Sequence, residues 1–282
     1  MSIRERVWLL RPHVYRVLNR AGGRLLLARA ATWAARRESG GDVEVFWRDG
    51  LWMYRFGDHY LPGLPEFRYA HPGDLTASWA NLRQNAADSW FAPYAPKEGD
   101  VIVDAGAGTG TNLPLFQSAV GDQGRVLAIE ANPKTFQRLE AMVRWNEYRN
   151  VTICNAALMD KPGEVYIQDR PPETYTRATV SAEPELGDLP VEGTTLDDLC
   201  ARLGIEKIDL LKINIEGSEG GAVEGMDRII QRTHAVVVAC HDFDGMPTRE
   251  KVSHFLASRG FEVWTRDDDR DFMADHVYGV RR

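Results

Sequence analysis

Three polar side chains alternate with apolar ones along a short stretch of the chain. Lys212, Asn214 and Glu216 stand in the run IDLLKINIEG, whose other positions are mostly Ile and Leu. Side chains two residues apart share one side of an extended strand, so an ammonium, an amide and a carboxylate would point the same way. Such a set can bind a ligand or transfer a proton, but an exposed edge strand shows the same alternation. The strand pattern alone leaves both interpretations open.

A second group of residues joins a predicted strand to a glycine-rich turn. The stretch VIVDAGAGTGTN places Asp104 two positions before the first of three glycines at 106, 108 and 110. Glycine permits positive φ and lets a ligand touch the backbone at the carboxyl end of a strand. Twenty residues beyond Gly110, the strand VLAIE ends at Glu130, whose carboxylate can accept both hydroxyls of a ribose.

The two carboxylates of this region indicate which nucleotide it suits. A carboxylate at Asp104 would repel a pyrophosphate, whereas it suits a ligand that carries an amino-acid ammonium. With Glu130 on the ribose, the pair favours S-adenosylmethionine. A dinucleotide dehydrogenase loop and a tight βα turn without a ligand are the alternatives.

Alternating strand and helix signals after Gly99 predict the fold class. Such alternation is typical of an α/β protein with a parallel sheet. The last two strand candidates are joined by an acidic segment instead of a helix, so we expect a seven-stranded, mostly parallel sheet with an antiparallel last strand. The predicted strands are 101–104, 125–130, 151–154, 208–215, 234–240, 261–265 and 276–281, and the predicted helices are 111–120, 134–147, 195–203, 219–231 and 248–258.

Other segments are predicted from turn and composition signals. A β-hairpin is expected over 43–60, with its turn at Asp49 and Gly50, and a helix over 75–89. The stretch 163–169 indicates an inserted β excursion, and the Pro- and Glu-rich stretch 171–193 is expected to be a mobile loop.

Composition narrows the class of protein. The cysteines, 46 and 40 residues apart, match neither a disulfide framework nor a zinc motif, so we expect reduced thiols and a cytoplasmic location. No two histidines have the i, i+4 spacing of a helical metal site. No apolar run reaches the ~20 residues of a membrane span, and arginines interrupt any signal-peptide core near the amino end.

Charge is concentrated in the first 37 residues. They hold nine arginines against the single acid Glu5, a net charge of +8, while the rest of the chain carries −15. Leucines, valines and tryptophans are interleaved with the arginines, which predicts a segment that lies on anionic lipid. A basic helix packed on the acidic body is the alternative. Nucleic acid is not expected as a partner, because the acidic remainder would repel phosphate.

Four stretches together resemble the FkbM family of S-adenosylmethionine-dependent methyltransferases. They are DVIVDAGAGTGTN, IEANP, TTLDDL and IDLLKINIEGSEGGAVEGM, within about residues 98–243. The last is the most specific, since family members typically read KIDVEGAE where this chain reads KINIEGSE. The chain departs from the family at Asn214, where the usual residue is acidic, and at IEA, where FEP or a similar run is usual. The resemblance implies a Rossmann-like class I methyltransferase fold with an N-terminal extension.

The resemblance also implies a reaction and a set of site residues. Family acceptors are hydroxyls, and here we expect the hydroxyl of a sugar, glycolipid or glycosylated metabolite. A polyketide hydroxyl or an amine is the alternative acceptor. A cofactor-binding module without catalysis is the alternative function. The residues expected around the cofactor are Asp104, Gly106, Ala107, Gly108, Thr111, Asn112, Glu130, Ala131, Asn155 and Ala156, with Lys212 and Asn214 beside the substrate.

Catalysis is expected from the ends of two adjacent strands. The hydroxyl must approach the methyl carbon and lose its proton. We expect Glu216 or His241 to be the general base and Asp242 to orient it, since neighbouring strands lie ~4.8 Å apart. A structural cap is the alternative role for His241, and an ion pair with Glu216 or Asp104 is the alternative role for Lys212. A divalent ion such as Mg²⁺, held by Glu216 and Asp242, is a second version of the chemistry.

The chain is thus expected to have three parts. Residues 1–42 form a basic amphipathic helical leader, 43–98 a β-hairpin and aromatic-rich cap over the substrate, and 99–282 the S-adenosylmethionine-binding methyltransferase domain. The leader predicts a cytoplasmic protein held peripherally on the inner face of a membrane. Neither the acceptor nor the oligomeric state follows from the sequence.

Overall fold

The computed structural model describes residues 17–20, 22–39, 41–65, 84, 87–168, 180–181, 183–240, 248–266 and 275–282. The helix predicted over 75–89 falls almost wholly outside these residues, as do His241 and Asp242. Two compact units make up the chain, one of residues 1–83 with 141–147 and one of residues 84–140 with 148–282. Within the described ranges, no helix is long and apolar enough to cross a membrane.

The described part of the first unit includes a helix over residues 24–39 and a three-stranded antiparallel meander. Its turn at Asp49 and Gly50 has φ of 52° and 81°, the pair of positive values that matches the twist of a two-residue hairpin. The predicted hairpin is confirmed, and a third strand extends it. These elements are α1 (Arg24–Ser39), β1 (Val43–Arg48), β2 (Leu51–Phe56) and β3 (His59–Pro62).

The second unit is built on a seven-stranded sheet. The elements from residue 101 onward, in chain order, are β4 (Val101–Ala105), α2 (Leu113–Val120), β5 (Arg125–Ile129), α3 (Pro133–Trp145), β6 (Val151–Cys154), β7 (Ala157–Leu158), β8 (Gly163–Ile167), β9 (Val180–Ser181), β10 (Leu189–Thr194), α4 (Leu196–Leu203), β11 (Ile208–Ile213), α5 (Glu219–Ala222), β12 (Thr233–Ala239), α6 (Thr248–Ser258), β13 (Glu262–Thr265) and β14 (His276–Val280). All lie in the second unit except the last five residues of α3, which belong to the first. Two short 3₁₀ turns, Val223–Gly225 and Ile229–Arg232, lie between α5 and β12.

The strand order of this sheet is β13-β14-β12-β11-β4-β5-β6. Strand β14 runs antiparallel to both β12 and β13, while β12, β11, β4, β5 and β6 pair in parallel. The predicted fold class is therefore confirmed. Helices on the sheet bury its central strands, which explains why those strands read as nearly continuous apolar runs.

The position of β11 excludes the edge-strand interpretation of its polar residues. Strand β11 pairs with β12 on one side and with β4 on the other. In that register Lys212 lies opposite Asp104. A lysine in the centre of a buried sheet requires a partner for its charge, because an unpaired ammonium there is costly.

The region after β11 differs from the prediction in two ways. The strand ends at Ile213, not at residue 215, so Asn214 and Glu216 lie on the loop that follows it. The predicted helix over 219–231 is wrong: only Glu219–Ala222 is α-helical, and two 3₁₀ turns follow. Glycines at 220, 221 and 225 lower helix propensity, and a Cβ at Gly225 would lie 2.1 Å from the carbonyl oxygen of Met159. The backbone at Gly225 packs closely against the Met159 carbonyl, and the chain there forms a 3₁₀ turn instead of a continuous α-helix.

A smaller sheet with the order β7-β10-β8-β9 contains the predicted β excursion. The expectation of a mobile loop over 171–193 is wrong at its end, because β10 pairs antiparallel with β8 from Leu189 onward. Pro190 obscured this strand in the sequence. Strand β10 pairs with β7 only at Gly193 and Thr194, so at Pro190 it has a single neighbouring strand, β8. Proline, which lacks an amide hydrogen, is tolerated at such an edge position.

Candidate functional site

A cavity of about 220 Å³ opens at the carboxyl ends of β4, β5 and β11. Ligands of open α/β sheets bind at this edge. Eleven of the predicted site residues line it: Gly106, Ala107, Gly108, Thr111, Asn112, Glu130, Ala131, Ala156, Lys212, Asn214 and Glu216. The sequence analysis missed the other nine: Thr109, Ile129, Asn132, Ala157, Leu158, Ile167, Val180, Ile215 and Ser218. Most of the missed residues are apolar or come from the small sheet, which no local motif could connect to this edge.

The glycine loop forms one wall of the cavity and is anchored to the end of β5. The backbone amides of Gly106 and Ala107 both donate to the carbonyl oxygen of Ile129, at 2.9 Å each. Gly106 has φ 75°, and a Cβ built on it would lie 1.8 Å from the carbonyl oxygen of Asn214. Gly108 has φ 58°, and nothing lies within 4 Å of its Cβ position. Gly106 is thus required by packing, whereas Gly108 leaves space beside the backbone for a ligand.

A buried ion pair lies beneath this loop. The Nζ of Lys212 is 2.7 Å from Oδ1 of Asp104, and both side chains are at most 1% exposed. The two groups form an ion pair, but their angles do not meet those of a hydrogen bond. The same ammonium donates to the carbonyl oxygens of Gly106, at 2.7 Å, and of Ala105, at 3.3 Å. The sequence analysis offered Glu216 or Asp104 as the ion-pair partner of Lys212, and in the structure the partner is Asp104.

This pairing changes the role expected for Asp104. Its side chain does not line the cavity; Lys212 does. The second carboxylate oxygen, Oδ2, is buried and makes no hydrogen bond to any residue in the described part of the chain. Asp104 therefore acts on the cavity through the lysine and through the loop that the lysine holds.

Glu130 lies at the end of β5 and holds the two loops beside it. Its Oε2 accepts a hydrogen bond from the amide of Gly108 at 2.9 Å, and its Oε1 accepts from the amide of Asn132 at 2.8 Å. Burial raises the pKa of this carboxyl; the two amide donors and Lys212 oppose that rise, and Asp104 adds to it. Because each carboxylate oxygen has two acceptor directions, both can still accept a ligand hydroxyl.

Two asparagines support the loop that carries Glu130. Asn155 was expected to touch the cofactor, but it does not line the cavity; its Nδ2 donates to the carbonyl oxygens of Glu130 and Ala131, at 2.8 and 2.9 Å. Asn132, which the sequence analysis missed, lines the cavity and accepts from the amides of Lys134 and Thr135 at the start of α3. The dipeptide Asn132-Pro133 could have indicated this role in the sequence, since an asparagine side chain followed by proline is typical of the start of a helix.

The loop after β11 forms the opposite wall. Asn214 lines the cavity, and its Oδ1 is buried without a hydrogen bond to any described residue. Glu216 also lines the cavity and has φ 55°, a left-handed conformation that is rare for a residue with a side chain. Such conformations cost about 1–3 kcal/mol and persist where the surrounding structure holds them.

Glu219 holds Glu216 in this conformation. Its side chain is fully buried, and its carboxylate accepts hydrogen bonds from the amides of Ile215, at 3.1 Å, and Gly217, at 2.9 and 3.2 Å. These two amides flank Glu216 on either side. The sequence placed Glu219 only in the first turn of a helix; its role as a brace for the loop depends on the tertiary structure.

Aromatic side chains lie next to Lys212. The Nζ of Lys212 is 5.3 Å from the ring centroid of Trp90, and that ring lies 4.9 Å from the ring of His276. His276 pairs with Ala239 at the end of β12, because β14 runs antiparallel and begins where β12 ends. The sequence analysis missed His276, since its position next to this edge follows only from the sheet order.

The second half of the predicted catalytic set lies outside the described residues. His241 and Asp242 come two and three positions after the end of β12, and their roles stay predictions. Within the ranges that the structure describes, no group of three or more His, Cys, Asp or Glu side chains is placed to hold a metal ion. Glu216 is the one residue of the predicted catalytic set that the structure describes.

Alanine substitutions should distinguish the glycine that packing requires, Gly106, from the glycine that leaves space for a ligand, Gly108. We expect Gly106→Ala to lower the free energy of unfolding by about 2–5 kcal/mol, because its Cβ would overlap the Asn214 carbonyl and its φ is positive. Gly108→Ala should cost only about 1–2 kcal/mol, from backbone strain alone. Urea unfolding of both variants measures the difference, and equal losses would contradict the assigned contact.

Removal of the loop brace should destabilise the protein. We expect Glu219→Ala to lower the free energy of unfolding by at least about 2 kcal/mol, because two amides beside Glu216 lose their acceptor. The matched control is Glu224→Ala, whose exposed carboxylate pairs with Lys251 at 2.8 Å and should cost less than about 1 kcal/mol. Thermal and urea unfolding of the two variants, compared with the unaltered chain, test the brace.

Comparison with known proteins agrees with this geometry. The profile of the methyltransferase FkbM domain matches residues 104–263, more than half of the chain. The chain is 25% identical over 177 residues to the hexuronic acid methyltransferase AglP of Haloferax volcanii, covering 61% of this chain and 70% of that protein.

Two solved structures are also similar. One is a methyltransferase FkbM from Methylobacillus flagellatus, at 17% identity and a TM-score of 0.44, covering 66% of this chain but only 44% of that one. The other is fibrillarin from Aeropyrum pernix with bound S-adenosyl-L-methionine, at 16% identity and a TM-score of 0.45, covering 85% of this chain and all of that one.

The profile match begins at Asp104, the carboxylate beneath the glycine loop, and extends through β11, the loop with Glu216 and β12. It therefore covers both walls of the cavity between β4 and β11. The chain belongs to the FkbM methyltransferase family, and it is a methyltransferase.

Proposed function

We propose that this enzyme transfers a methyl group from S-adenosylmethionine to a hydroxyl of a sugar, glycolipid or glycosylated metabolite. One observation carries the proposal: Glu216 and Asn214 face the glycine loop across a single cavity. A relative named for hexuronic acid supports a sugar acceptor. A polyketide hydroxyl or an amine is the alternative acceptor, and the amine would need no strong base.

The residues of the cavity suit the proposed cofactor. Space beside Gly108 leaves room for a ligand against the backbone, and both oxygens of Glu130 retain acceptor directions for ribose hydroxyls. Asn214 supplies a buried acceptor that meets no described donor. When bound, S-adenosylmethionine supplies an electrophilic methyl on a sulfonium. Lys212 brings a cation to the cavity lining, and its ion pair with Asp104 offsets that charge.

We assign the proton transfer to Glu216. Glu216 would accept the proton of the acceptor hydroxyl as its oxygen takes the methyl group that S-adenosylmethionine would supply, with S-adenosylhomocysteine as the leaving group. Glu219 fixes the backbone on both sides of Glu216, so the carboxylate is oriented before the acceptor arrives. His241 with Asp242 is the alternative base, and a divalent ion held by Glu216 and Asp242 is the alternative activator.

We propose that the acceptor binds beside Lys212 and Trp90. Aromatic rings stack on the apolar faces of sugars, and the aromatic-rich segment before β4 was expected to supply such rings. Among the described residues of that segment, Trp90 has its ring centroid 5.3 Å from the Nζ of Lys212, which lines the cavity. The cytoplasmic location is part of the proposal; the three free cysteines, Cys154, Cys200 and Cys240, suit it.

Cofactor binding should depend on pH through Glu130. Burial raises the pKa of this carboxyl above its ordinary value, and a ribose hydroxyl needs the ionised form as acceptor. Affinity for S-adenosylhomocysteine should therefore fall as the pH drops through the raised pKa, by up to tenfold per pH unit. Glu130→Gln should bind more weakly and lose this dependence, while Glu140→Gln, an exposed position on α3, should keep it. Calorimetry across a pH series makes the comparison.

Methyl transfer should require Glu216. We expect Glu216→Gln to lower kcat about 100-fold or more toward a uronic-acid glycan, with S-adenosylhomocysteine affinity preserved. The matched control, Glu224→Gln, removes an exposed carboxylate nearby and should leave kcat unchanged. Release of S-adenosylhomocysteine measures the rate.

The product identifies the acceptor group. A base-stable methyl ether would support hydroxyl methylation, whereas a base-labile product would indicate a methyl ester on the uronic carboxylate. Turnover with an amine or a polyketide acceptor, and none with sugars, would overturn the sugar proposal. Full activity of Glu216→Gln would remove Glu216 as the base and leave His241, tested by His241→Ala. Loss of activity with a chelator and its return with Mg²⁺ would favour the metal version.

A further inference from the structure

Helix α1 has two faces of different character. Its inner face packs on β1 and β2 through Leu27, Ala28 and Ala31, each at most 8% exposed, and the hydroxyl of Thr32 both donates to and accepts from the backbone of Val45. Its outer face carries Leu25 and Leu26, each 61% exposed, and Trp33, 64% exposed. The inner contacts hold the helix in place without the outer side chains.

The outer face is also positively charged. Arg29 and Arg37 are exposed on it, and the guanidinium of Arg37 is 5.4 Å from the ring centroid of Trp33. The carboxylates of Asp42 and Glu44 are bound by Arg55 at 2.7 and 3.2 Å. Arginine 36 adds a further charge, 3.8 Å from the same Asp42. Arg29 and Arg37 are thus the exposed arginines of this face, whereas Arg24 lies 3.7 Å over the ring of Trp47 and Arg36 donates to the carbonyl oxygen of Val43 at 2.8 Å.

We infer that the outer face of α1 docks on an anionic lipid bilayer. Leucine and tryptophan insert at the boundary between headgroups and acyl chains, and arginines beside them reach the lipid phosphates while their stems stay in the apolar layer. All of these groups project from one side of a rigid helix. This interaction goes beyond the methyl transfer and does not depend on it.

The observations favour lipid over two other partners. A second copy docked by the same face would oppose arginines to arginines, a repulsion that no acid on the described outer face offsets. Nucleic acid would satisfy Arg29 and Arg37 but would leave Leu26 and Trp33 in water. A bilayer surface satisfies both kinds of side chain at once.

Vesicle co-sedimentation of the full chain tests the inference. The unaltered protein should pellet with phosphatidylcholine vesicles that contain phosphatidylglycerol, far less with phosphatidylcholine alone, and less as salt rises. The double variant Leu26→Glu, Trp33→Glu should bind at least about tenfold more weakly. The control Leu186→Glu makes the same change at a fully exposed leucine outside α1 and should bind normally.

Charge and insertion can be measured separately. Replacing Arg29 or Arg37 by Glu should weaken binding to the anionic vesicles at least about fivefold each, whereas Arg149→Glu, an exposed position elsewhere, should not. Brominated lipid should quench the fluorescence of the unaltered protein more than that of Trp33→Phe. Circular dichroism and thermal unfolding of each variant establish that the fold is retained.

Three results would overturn the inference. Equal pelleting of the Leu26→Glu, Trp33→Glu variant and the unaltered chain would show that another segment binds the vesicles. Equal quenching in Trp33→Phe would exclude insertion of this helix. A shift to dimer in light scattering, lost in the double variant and accompanied by no vesicle binding, would identify a second copy as the partner of this face.

Discussion

The contact between Lys212 and Asp104 is the interaction on which the site depends. It joins the two central strands β4 and β11 at the level where the glycine loop begins, and the same ammonium donates to the carbonyls of Ala105 and Gly106. Loss of one partner would leave a buried charge, a change that costs about 3–5 kcal/mol in proteins. The loop then fits against Asn214 so closely that a glycine is required at 106.

Four carboxylates around the cavity have two kinds of role. Asp104 and Glu219 are fully buried, and each fixes the backbone of a loop, one through a lysine and one by accepting amides directly. Glu130 and Glu216 line the cavity, and their carboxylates are directed by those loops. The proposed binding and proton transfer need groups that are held in place before the ligand arrives. The buried carboxylates of Asp104 and Glu219 provide that constraint.

The first unit shows how one helix can serve two surfaces. Small residues such as Ala28 and Ala31 let α1 lie close to its sheet, and this close contact needs none of the larger side chains on the other face. Leu26, Trp33 and Arg29 are therefore not required for packing. The packed face and the exposed face of this helix use different side chains, so we expect that the exposed face can be altered without loss of stability.

The sequence by itself determined the strand and helix alternation, the glycine loop, the Glu130 carboxylate and the family motif around Glu216, because each is a local pattern. Only the tertiary structure decided that Lys212 pairs with Asp104 and that the α-helix after Glu219 ends at Ala222. These outcomes depend on which strands are neighbours and on how closely backbones approach. Such contacts join residues about 100 positions apart, as for Lys212 and Gly106, and local spacing carries no information about them.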